Sequence, residues 1–241
     1  MAGHSKWANI KFKKASQDIK RGKEFTKLIR AITIAAKMGG GDPALNPSLR
    51  TAIDKGLSSN LPRDNIDRAI KRATGGDVTD NLEEIRYEGY GAAGVAIIVE
   101  CLTDNRKRTV SEVRHAFAKH NGNLGTDGSV AYLFTKIGQI ILADACREEQ
   151  VMDLILDFSV EDLITQDDGT MEIRTDPNDF LDVKAKLVAA GLHPLFAEIT
   201  MEPSMYVEVA GSVSEQVIKL INHLEDLDDV QTVYTNADFR D

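Results

Sequence analysis

The chain has 241 residues, 42% hydrophobic and 28% charged, with a formal net charge of −9. That is room for one large domain or two to three small ones of ordinary globular composition. It holds no run of 18 apolar residues and no apolar stretch behind its basic N-terminus, so no transmembrane helix or secretory signal is expected and a cytoplasmic location is.

The net charge hides a division. Residues 1–78 carry sixteen Lys and Arg against seven Asp and Glu, a formal +9. The remaining residues carry thirteen against thirty-one, a formal −18. A polyanion responds to the nearest face and not to the total, so the basic end is the expected contact for nucleic acid.

In chain order, residues 15–38 place Phe25, Leu28, Ile29, Ile32, Ala35 and Ala36 at helical spacing. The glycines at 39–41 and Pro43 end that helix. Asn46 is the expected N-cap of a second helix with Pro47 at its first position and Leu49, Ala52, Ile53 and Leu57 inward. Pro62 opens a third, with Ile66, Ala69, Ile70 and Ala73 inward, and Gly75 and Gly76 close it.

Beyond Asp77 the period changes to that of strands. Residues 82–90 and 95–102 read as strands joined by a glycine-rich turn. Thr109 to Glu112 reads as a capping box that starts a helix ending near Gly122. A strand is expected at 130–134. Next come a strand at 139–142, a helix from about 147, strands at 162–165 and 171–174 with Asp168 and Gly169 as their turn, a helix at 177–190 and a strand at 194–200. That β-α-β-β-α-β order is ferredoxin-like. An extended stretch at 205–209, a helix at 214–224 and a strand at 230–235 follow. The last two are expected to complete the unit begun at 82–134.

The fold class read from this is α+β: an N-terminal three-helix domain followed by two α/β domains of ferredoxin-like type, the third inserted into the second. The expected domains are 1–78, 79–135 together with 204–241, and 136–203.

On a helical wheel Lys20, Lys23, Lys27, Arg30 and Lys37 cluster opposite the apolar set, while Arg21 and Ile34 fall on the wrong sides. The third helix repeats the design with Arg68, Lys71 and Arg72, and Arg63 stands at its start. Ahead of the first helix come Lys6, Lys11, Lys13 and Lys14, interleaved with Trp7 and Phe12. A solvated face normally mixes signs, yet residues 1–38 hold ten basic residues and only Asp18 and Glu24 as acids. Cations in this density neutralise phosphates and release counterions, and Trp7 offers a ring for stacking on unpaired bases. Arg106 begins a basic loop, Arg106 to Arg108, just before the expected helix start, a second phosphate-contact candidate. The acidic run Glu225, Asp226, Asp228 and Asp229 lacks calcium-loop spacing and reads as a solvated turn.

Other motifs fail on context. Gly89 to Gly94 matches G-x-G-x-x-G but precedes a strand, so a hairpin turn is expected and no dinucleotide cofactor. The five histidines show no metal-ligand spacing. Cys101 and Cys146 read as small buried hydrophobes, not a disulfide. No nucleophile motif occurs. No catalytic residue, cofactor, metal, small-molecule substrate or membrane contact is expected.

The segments from Met1 to Lys11, Arg21 to Arg30, Met38 to Pro43, Leu61 to Ile66 and Ala69 to Arg72 resemble those of the YebC/PmpR family. So do Tyr87 to Gly91, Leu102 to Arg106, and Asp229 to Gln231. The resemblance spans the chain and departs at Phe12, where such sequences often carry a polar or basic residue. It implies a three-domain cytoplasmic protein that is a DNA-binding transcriptional regulator or a ribosome-associated translation factor. It also implies that the basic N-terminal segment, not a catalytic site, carries the function. Three functions stand open on the sequence: a non-enzymatic regulator binding DNA, a factor binding RNA or the ribosome, and a scaffold whose basic helices bind an acidic protein surface, its own included.

Overall fold

The computed structural model describes residues 21–75, 82–143, 148–166 and 169–240. Three helices come first: α1 (Arg21–Gly39), α2 (Pro47–Ser58) and α3 (Arg63–Thr74). Leu28, Ile32 and Ala36 of α1 meet Leu49 and Ile53 of α2 and Ile66, Ala69 and Ala73 of α3 in one apolar cluster, with Leu61 from the connecting loop. The expected inward positions hold except Leu57, which is exposed.

Asn46 shows why the first turn forms where it does. Its Oδ1 accepts from the Leu49 amide at 3.0 Å, the N-cap bond. Its Nδ2 donates at 2.8 Å to the carbonyls of Ala35 and Gly40, tying α2 to the end of α1. The side chain is 4% exposed. Asn46→Ala removes the cap and the two bonds that tie α2 to α1, an expected loss of about 2 kcal/mol in urea unfolding; Asn46→Asp should keep the cap and lose only the donor side.

The helices share a compact unit, residues 17–131 with 209–235, with a four-stranded sheet. Strand β1 (Glu83–Tyr90) pairs antiparallel with β2 (Ala96–Thr103), as expected, through a tight turn in which Ala93 and Gly94 take positive φ. The glycine-rich match therefore shapes a hairpin. Helix α4 (Arg106–Lys119) follows, then the short β3 (Asn123–Leu124). Helix α7 (Gly211–Asp226) and β9 (Val230–Thr235) return at the far end of the chain, and β9 pairs with β2, giving the sheet order β3-β1-β2-β9. The expected completion of the first α/β unit by its last elements is thus observed.

Two expectations are corrected. Residues 130–133 form no strand, and Phe134 is instead the first residue of the next one. The buried carboxylate of Glu88 accepts the amides of Gly128, Val130 and Ala131 at 2.8–2.9 Å, so the donors a strand would use are spent on a side chain. Nor does Thr109 cap a helix. Asn105 does, accepting from the Arg108 amide at 3.1 Å, so Arg106 to Arg108 are the first turn of α4 and not a loop.

The second compact unit, residues 132–208 with 236–240, holds β4 (Phe134–Leu142), α5 (Glu148–Ile155), β5 (Val160–Thr165), β6 (Met171–Thr175), α6 (Phe180–Ala189) and β7 (Phe196–Pro203). The sheet order β5-β6-β4-β7, all antiparallel, is ferredoxin-like. Ile140, Leu142, Ile173, Val183 and Leu187 lie in its core. A two-stranded sheet of β8 (Val207–Val209) and β10 (Ala237–Phe239) completes the chain. This is the expected α+β class, with the ferredoxin-like segment interposed in the chain between the parts of the preceding α/β sheet.

Candidate nucleic-acid interface

Lys6, Trp7, Lys11, Lys13, Lys14 and Lys20 lie outside the described residues, as does the side chain of Arg21. The remaining expected contacts divide into two groups.

The first group is the cationic stripe of α1. Lys23, Lys27 and Arg30 come together, but they face the chain's own acidic turn. Lys27 Nζ donates to the Glu225 carbonyl at 2.8 Å, Lys23 Nζ to that of Asp226 at 3.3 Å, and Arg30 to that of Asp228 at 3.1 Å. Lys23 also pairs with the Asp228 carboxylate at 3.3 Å and Arg30 with that of Asp229 at 3.6 Å. The Glu225 and Asp226 carbonyls end α7, the negative end of its dipole, so Lys27 and Lys23 meet helix-end partial charge while Lys23 and Arg30 meet carboxylates. Ile34 extends the same stripe. It is 7% exposed yet lies outside the bundle's own apolar cluster, so its position on the "wrong" side marks a packed face and not a defect of the pattern. The turn at 225–229, expected to be merely solvated, is the partner of that face.

Asp229 is the centre of this junction. Its carboxylate accepts from Thr103 and Thr109 hydroxyls at 3.0 and 2.9 Å and from Arg108 at 2.7 Å, and its carbonyl accepts the Leu102 amide. Three cations in the first turn of a helix oppose its dipole; Asp229 and Asp104 offset this by holding Arg108. Burial alone would raise the Asp229 carboxyl, but hydrogen bonds from Arg108, Thr109 and Thr103 outweigh it and hold the group below the usual carboxylate range. Burial and the Asp229 charge push the adjacent Cys101 thiol up to about 12, which keeps it protonated. Cys146 lies outside the described residues.

Glu88 follows the same pattern as Asp229. Burial raises it, while the amides of Val130, Gly128 and Ala131 lower it further. A carboxyl depressed on folding contributes stability in full above its unfolded value, and that contribution is lost as pH falls through the folded one. Urea midpoints should therefore be level from pH 7 down to about 5 as far as these two groups are concerned, then fall steeply below about pH 4.5. Glu88→Gln should flatten part of that acid limb.

The second group is α3. Arg63, Arg68, Lys71 and Arg72 are exposed while Ile66, Ala69 and Ala73 are buried. Arg63 pairs with Asp67 at 3.6 Å, and Arg68 donates to the Asp64 carbonyl and the Asn65 side chain. Arg106 is exposed at the head of α4, 3.8 Å from Glu83. These side chains offer charge to solvent on short, weak surface pairings.

Two clusters escaped sequence reading because their members are distant in the chain. In the second unit, Glu172 is buried and accepts from Gln139 and Arg174 at 2.9 Å. Arg174 also reaches Glu202 at 3.1 Å, and Tyr206 donates to Glu202 at 2.9 Å. In the first unit His120 and His223 meet, with His115 alongside. Among the described residues no group of three or more His, Cys, Asp or Glu side chains could hold a metal ion, and no helix is long and apolar enough to cross a membrane.

Comparison with known proteins agrees over the whole chain. Residues 5–76 match the model of the TACO1/YebC protein N-terminal domain, and residues 82–237 that of the TACO1/YebC second and third domain. A protein of Cupriavidus necator is 56% identical over 241 residues, all of both chains, and one of Thiobacillus denitrificans 58% identical over 239, 98% of each. Both are named probable transcriptional regulatory proteins. The crystal structure of the conserved hypothetical protein Aq1575 from Aquifex aeolicus is 42% identical, covers 93% of each chain and superposes with a TM-score of 0.79. By its fold, its basic helical head and these matches, the chain belongs to the TACO1/YebC family.

Proposed function

We propose that the chain is a non-enzymatic, cytoplasmic nucleic-acid-binding regulator of transcription that grips the phosphate backbone through its basic helical domain. In this reading residues 1–78 are the binding domain, 79–135 with 204–241 its α/β support, and 136–203 a further domain. One observation carries it: α3 turns its apolar side into the bundle and leaves Arg63, Arg68, Lys71 and Arg72 exposed. The names of the relatives agree with a regulatory role. Arg106 and the lysines of the N-terminal segment, Lys6, Lys11, Lys13, Lys14 and Lys20, extend the cationic surface, with Trp7 as a stacking ring. In this reading the α1 stripe contributes least, because Lys23, Lys27 and Arg30 are turned to residues 225–229 of the chain itself.

Contacts of this kind position a protein on the backbone and do not by themselves read sequence. Crosslinking the tagged full chain in cells, then sequencing bound DNA and bound RNA, tests the reading. Enrichment of promoter DNA supports it. Recovery confined to ribosomal RNA would replace transcription control with a role at the ribosome.

A further inference from the structure

One end of the helical bundle exposes two large apolar side chains. Met38, near the end of α1, is 74% exposed, and Leu45, in the loop to α2, is 81% exposed. Single exposed apolar residues are ordinary, but these two stand together on a braced loop. Gly39 follows Met38 and Asn46 follows Leu45, and a Cβ at Gly39 would lie 2.5 Å from Asn46 Nδ2, so the two stretches of chain touch. Asp42 Oδ1 accepts the Ala44 amide at 2.9 Å, the Asp42 carbonyl accepts the Leu45 amide at 3.1 Å, and Asn46 Nδ2 donates to Ala35 and Gly40. A Cβ at Gly41 would lie 3.0 Å from the Ile70 and Thr74 side chains, which seats the loop against the end of α3. That end carries Lys71 and Arg72, both exposed. Lys37 precedes Met38, and Arg50 lies in the first turn of α2; both are exposed as well.

We propose that Met38 and Leu45 form an apolar wedge that enters the minor groove of duplex DNA and parts a base step, while Lys37, Arg50, Lys71 and Arg72 hold the flanking phosphates. The proposal rests on the reading of the basic helical domain as a binder of the phosphate backbone, and it names what that domain does to the DNA, which is to kink it. It also adds Arg50 to the phosphate contacts.

Charge and chemistry choose the occupant. Asp42 is the one acid between residues 37 and 50, and its side chain is engaged in the turn. An apolar pair beside four cations fits a partner that joins negative charge to flat apolar surface. A base step between two phosphate strands has both, and Met and Leu are among the side chains that wedge such steps apart. A loop already braced by its own hydrogen bonds loses little freedom on entering the groove, so more of the contact is left to offset the unstacking.

The test uses the full chain and an end-labelled duplex of about 30 base pairs with a central TA step, a kind that unstacks easily. Binding of the unsubstituted chain at low salt should shorten the end-to-end distance read by energy transfer. Met38→Ser with Leu45→Ser is expected to lower affinity about ten-fold and abolish the shortening. The salt slope and circular dichroism should stay unchanged, because the substitutions remove exposed apolar surface and no charge. In the unsubstituted chain DNA should shield Met38 from oxidation by hydrogen peroxide, with Met205, 67% exposed in the other compact unit, as the reference. That measurement decides even if the variant misfolds. A double variant that binds and bends DNA as the unsubstituted chain does, or Met38 oxidised alike with and without DNA, overturns the wedge and leaves phosphate binding intact. So does a variant that keeps its affinity for DNA but loses binding to phosphatidylglycerol vesicles, which would assign the pair to a lipid surface. Failure of the unsubstituted chain to bind the duplex at all would remove phosphate binding itself, and the wedge with it.

Discussion

Asp229→Ala is expected to lower the unfolding free energy by about 3 kcal/mol, the scale for stripping one partner from a buried charged network. The carboxylate is 2% exposed and ties four parts of the chain together. Thr103 ends β2, Arg108 and Thr109 begin α4, Arg30 comes from α1, and Asp229 itself precedes β9. Without it two buried hydroxyls lose an acceptor and the basic first turn of α4 loses its counter-charge. Asp229→Asn keeps an acceptor but no charge, and should fall between wild type and alanine. Asp228→Ala is the control. That side chain is 79% exposed, its pairing with Lys23 is a surface one, and its removal should change stability by less than about 0.5 kcal/mol. Equal effects at 228 and 229 in urea unfolding would deny Asp229 its place at the junction.

The second large effect concerns binding. Arg68→Glu, Lys71→Glu and Arg72→Glu together are expected to lower affinity for duplex DNA or structured RNA at least ten-fold at low salt. The slope of log affinity against log salt on duplex DNA should drop by up to about 2.7, since each of the three phosphates no longer neutralised lowers it by about 0.9. These side chains are exposed on a helix whose opposite face is buried, so the fold should persist. Reversal of Lys23, Lys27 and Arg30 is expected to act differently. Glutamates there would face the carbonyls and carboxylates of residues 225–229, so binding should fail only in step with a loss of stability. Far-UV circular dichroism and urea midpoints on both triple variants, measured beside the binding curves, separate the two causes.

Local chemistry was legible wherever it sufficed. Asn46 and Pro47 announced α2, the period of three to four placed the bundle core, and the alternation of six elements gave the ferredoxin-like segment. What could not be read were the contacts between distant residues. The carboxylate of Glu88 replaces a strand ladder at 128–131, and Asn105 caps α4 one turn ahead of Thr109, which lies inside the helix with its hydroxyl donating to Asp229. The charge reading picked out the α1 cations, and three of them meet the chain's own acidic turn, one of the alternatives the sequence left open, because charge pattern alone does not distinguish phosphate from the chain's own acids as a partner. Ile34 held part of the missing information: an apolar side chain in a cationic stripe signals that the stripe is packed at that point.

Lysine-reactivity footprinting of the full chain, with and without duplex DNA or ribosomal RNA, tests the division of labour between α3 and α1 most directly. Lys71 should react readily alone and become protected on nucleic-acid addition, while Lys27 stays slow in both states. Protection of Lys23 and Lys27 only when nucleic acid is added, with Lys71 unchanged, would contradict it.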